Sequence, residues 1–201
     1  KKKYNIEFVS ANPTGPLHVG HCRGAVLGDT LSNLLSFNGN KVTKEYYVND
    51  YGGQVKNFIK SVYYRIIEIL ENKKFPEDQE LYPGDYVIDI AKKIIKKNIK
   101  KSFKNFDKIF DKLSKECLHI SMETIKANLS MLNVKHNSFI YESEIINSKI
   151  VSKTIEKLKK RGLVYTGKLN EPKGELSKSW KPRNQLLFKS TNFNDDIDRA
   201  L

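Results

Sequence analysis

At 201 residues with 39% apolar side chains, the chain can bury one substantial core, or one core with a small appended module. Its formal charge of +13, from 36 Lys and Arg against 23 Asp and Glu, favours phosphate-bearing partners, although lysines on solvated helix faces account for it equally well. No run approaches the roughly 18 unbroken apolar residues of a membrane span, no apolar signal core follows KKKYNIEFVS, and Cys22 and Cys117 lack metal-like spacing, which excludes a membrane protein and a disulfide framework and points to the cytoplasm.

NIEFV (5–9) is a short branched and aromatic run bounded by Asn12, Pro13, Gly15 and Pro16, and it predicts a buried strand. After His18 and His21, the residues Val26, Leu27, Leu31, Leu34 and Leu35 recur at helical spacing up to the stop at Gly39, which predicts a helix of about 18 residues. KVTKEYYV (41–48) is rich in strand formers and ends at the turn-like NDYGGQ. Strand, helix and strand in this order form a βαβ unit, whose crossover makes the strands parallel.

Beyond it, Val55, Phe58, Ile59, Val62, Tyr63, Ile66, Ile67 and Leu70 trace an amphipathic helix. The loop ENKKFPEDQELYPGD leads to a second helical pattern through Val87, Ile90, Ile94 and Ile95, and a third runs from about Phe103 to Met131. A further helix near 148–161 stops at Gly162. LVYTGKL and QLLFKS then read as the strands of a β-hairpin around the turn-rich NEPKGELS. The chain starts at Lys1 without methionine and stops at DDIDRAL without a turn or capping signal, as a piece of a longer protein would.

The histidines of NPTGPLHVGH fall on the loop leaving the first strand and entering the first helix, at the carboxyl end of a parallel sheet. Open helix N–H groups and the helix dipole attract anions there. Neither G-x-G-x-x-G nor G-x-x-x-x-G-K-[ST] is present, so the dinucleotide and P-loop fingerprints are missing. Gly20, Gly24 and Gly28 at spacing four would give one helix face a smooth strip for a flat ring such as adenine. No third ligand at a supportive spacing makes His18 and His21 a metal site. Two readings of the pair remain open. The imidazoles donate to nucleotide phosphates and stabilise charge on a leaving pyrophosphate, or they merely cap the turn and helix.

EFVSANPTGPLHVGHCRGAVLGDTL resembles the signature region of class I arginyl-tRNA synthetases, with HVGH in place of the HIGH motif. YYVNDYGGQ is similar to that family's segment after the second strand, and GLVYTGKLNEPKG with WKPRNQLLFKSTNFNDDIDRAL to its downstream insertion region. The resemblance implies an α/β fold. Residues 1–71 would form the first half of a Rossmann-like catalytic domain, and residues 72–201 a mostly helical insertion with a β-hairpin. It implies ATP-dependent activation of L-arginine to arginyl-adenylate and transfer to tRNA(Arg), with Mg2+ accompanying ATP, no protein-bound metal, and a monomer.

Carried over by position, His18 and His21 would stabilise the activation transition state, and Gly20 would let ATP pack on the backbone. Glu7 and Asn12 match positions that hold arginine, a carboxylate suiting a guanidinium and an amide the α-amino or carboxylate group. Asp50 and Gln54 would complete that pocket's wall, or cap the next helix. The KMSKS-type loop and the anticodon-binding domain are absent, so this piece alone should not charge tRNA. The turn Pro13-Thr14-Gly15-Pro16 lacks the lysine many relatives place there, and Asn194 stands where glycine is usual. Two other classes remain: a small H-x-G-H nucleotidyltransferase, and a noncatalytic basic RNA-binding module.

Overall fold

In the computed structural model, which describes residues 1–97, 103–169 and 182–201, β1 (Lys3–Glu7) and β2 (Lys41–Val48) run parallel, from Lys3 opposite Lys41 to Glu7 opposite Glu45. This is the βαβ arrangement the sequence predicts, with α1 (Val19–Phe37) as the crossover. The first strand ends two residues earlier than NIEFV suggests. Val9 and Ser10 have positive φ and cannot continue it.

The side of α1 that is buried is not its apolar side. Ala25, Gly28 and Ser32 are buried, whereas Val26, Leu27, Leu31 and Leu34 are exposed. Small residues allow the close approach, because a Cβ on Gly28 would stand 2.2 Å from Cγ of Phe8. Gly28 therefore leaves the strip proposed for a flat ring: Phe8 already occupies it. Gly24 has open space around its would-be Cβ.

A third strand, β3 (Ser138–Tyr141), pairs parallel with β2 and gives the order β1-β2-β3. It escapes a reading by pattern, because four half-buried residues show no alternation. Between β2 and β3 stand three helices, α2 (Gly53–Glu71), α3 (Asp85–Lys97) and α4 (Phe106–Met131). Their apolar stripes match the predicted periodicity. Phe58, Ile59, Val62 and Ile66 of α2 pack with Val87 and Ile94 of α3 and Leu113 and Cys117 of α4. Each such side chain contributes about 1.5–3 kcal/mol when fully buried.

The compact units of the chain are Lys1–Glu144 and Ile145–Leu201, so β3 keeps the first unit continuous well past residue 71. The short α5 (Glu142–Asn147) begins in the first unit and ends in the second, where α6 (Ile150–Lys160) follows it and the chain turns at Gly162 with φ 68. β4 (Val164–Gly167) and β5 (Gln185–Phe188) pair antiparallel as the hairpin reading requires, and β6 (Arg199–Ala200) adds to β5. The turn segment NEPKGELS lies outside the described residues.

Candidate functional site

An imidazole at the start of α1 takes the place that serine or aspartate usually fills. His18 is the N-cap, with extended backbone at φ −127 and ψ 173, and its Nδ1 accepts from the Gly20 N–H at 3.1 Å. His21 Nδ1 accepts in turn from the His18 N–H at 3.2 Å, a reciprocal capping box built from two imidazoles. The capping reading is therefore realised, and it assists the phosphate reading rather than excluding it. A neutral imidazole whose Nδ1 accepts a hydrogen bond carries its proton on Nε2. The cap thus fixes both rings as Nε2–H donors without using those donors.

The two rings lie 3.9 Å apart at 36°, and the first turn of α1 contains no acidic residue. A pair of N–H donors at the positive end of a helix dipole suits an anion. Partial burial, and then the neighbouring His18, hold the His21 pKa below its ordinary 6.5, which keeps it a neutral donor at pH 7. Gly20 gives the capping ring its room. A Cβ there would stand 3.0 Å from Cε1 of His18.

The segment ahead of the histidines is held by its backbone. After Glu7, Ser10 N–H donates to Phe8 O at 3.0 Å across Val9. Val9 at φ 67 and Ser10 at φ 42 sit in the left-handed region, at about 1–2 kcal/mol each. Three carbonyls spaced three residues apart then receive ring donors from separate parts of the fold. Phe8 O takes His136 Nε2 at 3.1 Å, Ala11 O takes the Tyr46 hydroxyl at 2.7 Å, and Thr14 O takes the Tyr86 hydroxyl at 2.9 Å. Burial pushes both tyrosine hydroxyls up to about 12, so they remain donors throughout the physiological range.

Of the residues the resemblance assigns to arginine, Glu7 ends β1 exposed, and its Oε1 accepts from the Ser10 hydroxyl at 2.9 Å. Ser10 Oγ also accepts from Tyr47 N–H at 3.0 Å, which ties the turn to β2. Asn12 and Gln54 meet directly, Nδ2 to Oε1 at 2.9 Å. Asp50 is engaged elsewhere: its carboxylate accepts from the Ser143 N–H at 2.9 Å and hydroxyl at 2.6 Å, joining β2 to α5. Neither Asp50 nor Gln54 caps α2, whose N-cap is Gly52 at φ 94 without a side-chain cap.

Sequence reasoning gave no role to Ser10, Ser143 or His136. Ser10 could have been found as a hydroxyl three residues after the carboxylate, but Ser143 and His136 become visible only once β3 is placed. Among the described residues no group of three or more His, Cys, Asp or Glu could hold a metal ion, and no helix is long and apolar enough to cross a membrane.

Comparison with known proteins identifies the family of the chain. The chain is 57% identical over 202 residues to the arginine-tRNA ligase of Pelagibacter ubique (strain HTCC1062), covering all of the chain and 35% of that protein. With the arginine-tRNA ligase of Orientia tsutsugamushi (strain Ikeda) it shares 45% identity over 201 residues, again all of the chain and 34% of the relative. The chain thus spans about a third of the length of these curated relatives. A Campylobacter jejuni crystal structure, provisionally named an arginyl-tRNA synthetase, superposes with a TM-score of 0.81 at 31% identity, covering the whole chain and 40% of that structure. The family of class I tRNA synthetases for arginine (R), catalytic domain, matches residues 1–169, and the chain belongs to that family.

Proposed function

We propose that the chain supplies the ATP and arginine site of an arginine-tRNA ligase. In the first step a carboxylate oxygen of L-arginine attacks the α-phosphorus of ATP, the bond to the β-phosphate oxygen breaks, and pyrophosphate leaves with the electron pair. In the second, a hydroxyl of the terminal adenosine of tRNA(Arg) attacks the arginyl carbonyl, and AMP leaves. His18 and His21 give Nε2–H donors to the charge that develops on the leaving pyrophosphate, while Gly20 lets the nucleotide lie against the backbone. The imidazole capping box carries this reading, because it presents two donors of fixed tautomer at a helix N-terminus. Mg2+ would arrive on the phosphate oxygens of ATP.

Residues 1–71 together with β3 form the nucleotide-binding half in this reading, and α3, α4 and the hairpin belong to the insertion. The parent protein would be a cytoplasmic monomer that binds tRNA(Arg), L-arginine and ATP. Glu7 faces the guanidinium, Asn12 and Gln54 hold the arginine backbone groups, and Asp50 supports the wall through Ser143.

The test is Glu7→Gln in the full-length protein that contains this chain. The change keeps size, and the Ser10 hydroxyl can still donate to the remaining carbonyl, so the loss reports charge. Arginine binding should weaken by about 1.5–3 kcal/mol, the range for a charge-assisted hydrogen bond, with ATP binding unchanged. Arginine affinity equal to that of the parent would remove Glu7 from the pocket. A second measurement addresses the RNA: binding of residues 1–201 to tRNA(Arg) and to an unrelated tRNA should be weak, similar for both, and steeply reduced as salt rises. Tight, salt-insensitive preference for tRNA(Arg) would place identity reading in this chain.

A further inference from the structure

Of the three ring donors that hold the loop between β1 and α1, one is an imidazole and the other two are phenols. His136 enters from the segment before β3, and its Nε2 reaches the carbonyl of Phe8, which already accepts from Ser10 N–H. A carbonyl can only accept, so Nε2 carries the proton. The imidazole lies on the Phe8 ring, centroids 4.2 Å apart, and Tyr46 meets it edge-on at 5.2 Å. The bare backbone of Gly28 also comes close to Phe8, since a Cβ there would stand 2.2 Å from Phe8 Cγ. Phe8 thus touches both α1 and His136, and it is the residue where the left-handed turn begins. Two strained residues in succession persist only where their surroundings hold them.

We propose that His136 is a positioning residue for the arginine pocket, holding the Phe8–Ser10 turn so that Ser10 fixes the carboxylate of Glu7. The inference rests on the arginine-pocket reading given above. It predicts a sensitivity to acid as well. His136 Nδ1 is buried without a hydrogen-bond partner, so a second proton would place an unsatisfied N–H and a charge inside the fold. Burial accordingly holds its pKa below the ordinary 6.5.

The charged groups facing it do not offset that cost. Asp29 of α1 and Lys44 of β2 act in opposite senses and are paired to each other at 2.6 Å. Lys126 of α4 stands over Phe139 of β3, 4.8 Å from the ring centroid, and is itself paired with Glu123 at 3.5 Å. The hydroxyl of Tyr46 stays neutral.

The experiment uses the full-length protein that contains this chain, with arginine-dependent ATP–pyrophosphate exchange and amide hydrogen exchange as readouts. His136→Phe keeps an aromatic ring on Phe8 and loses the donor. It should raise the KM for arginine about tenfold, as expected for one supporting hydrogen bond, while the KM for ATP stays within about twofold. His136→Gln returns an N–H near the Nε2 position and should recover most of the loss. As the pH falls below 6.5 the arginine KM of the parent should rise more steeply than that of His136→Gln, which has no imidazole to protonate. The Ser10 and Tyr47 amides should exchange faster in His136→Phe than in the parent.

A His136→Phe protein with the parent's arginine KM, or one in which ATP and arginine KM rise together without rescue by His136→Gln, overturns the proposal. So do identical acid limbs for the parent and His136→Gln. A parent protein that activates no arginine refutes the pocket reading instead, and the exchange rates of Ser10 and Tyr47 then decide the role of His136 in the turn by themselves.

Discussion

His18→Asn in the full-length protein should lower adenylate formation by about a hundredfold and leave the stability of the domain within about half a kcal/mol of the parent. Asparagine is among the best N-cap residues, so the side-chain bond to the Gly20 N–H survives, whereas the Nε2–H donor of the imidazole is lost. The two roles of His18 are thereby separated in one variant. His18→Ala should lose both, with a stability cost of about 1 kcal/mol added to the kinetic defect. Burst kinetics of pyrophosphate release, beside urea unfolding, would check both quantities. An activity loss confined to KM, or a loss that scales with stability across the two variants, would return His18 to a capping role. Acid should act on His21 in the same direction. Its pKa is lowered in the folded chain, so its contribution to stability is complete above 6.5 and declines as the pH falls through the folded-state value.

Gly28→Ala should destabilise the first unit by about 3 kcal/mol, at the upper end for overpacking, because the new Cβ would meet Cγ, Cβ and Cδ2 of Phe8 at 2.2, 2.5 and 2.6 Å. Phe8 cannot retreat freely, since the His136 ring lies against it. Gly24→Ala is the control one turn earlier. Nothing stands within 4 Å of that site, so the substitution should stabilise α1 by up to about 1 kcal/mol through helix propensity. Urea midpoints for both variants would check the contrast, and equal midpoints would show that α1 does not rest on Phe8 through Gly28.

What the sequence disclosed, and what it withheld, divides along physical lines. The β1–α1–β2 unit and the helices α2, α3 and α4 were legible because their signals are local: strand formers in KVTKEYYV, apolar residues from Val55 to Ile67, and a stop at Gly39. The H-x-G-H pair was legible as a pattern. That its Nδ1 atoms would be consumed by each other's turn, fixing the tautomers, depends on backbone angles that a pattern does not contain. β3 was hidden because four residues without alternation acquire their identity from β2, and His136 was hidden with it. The packing face of α1 was misleading for another reason. Leu27, Leu31 and Leu34 carry the apolar signal, yet contact with the sheet at van der Waals distance selects the smallest side chains available, Ala25 and Gly28.

The late arrival of β3 has a consequence for the order in which the chain can acquire structure. Lys44 and Asn137, 93 residues apart, bond to each other where β3 joins the sheet, and Asp50 waits for Ser143 at the same sequence distance. Until those residues emerge from the ribosome, one edge of β2 has no strand partner and the Phe8–Ser10 turn has no His136. At about 5–20 residues per second, synthesis leaves that edge open for roughly 5–20 seconds, long compared with the formation of α2, α3 and α4. The helices would therefore complete their own core first, and the loop between β1 and α1 would set last, when β3 docks.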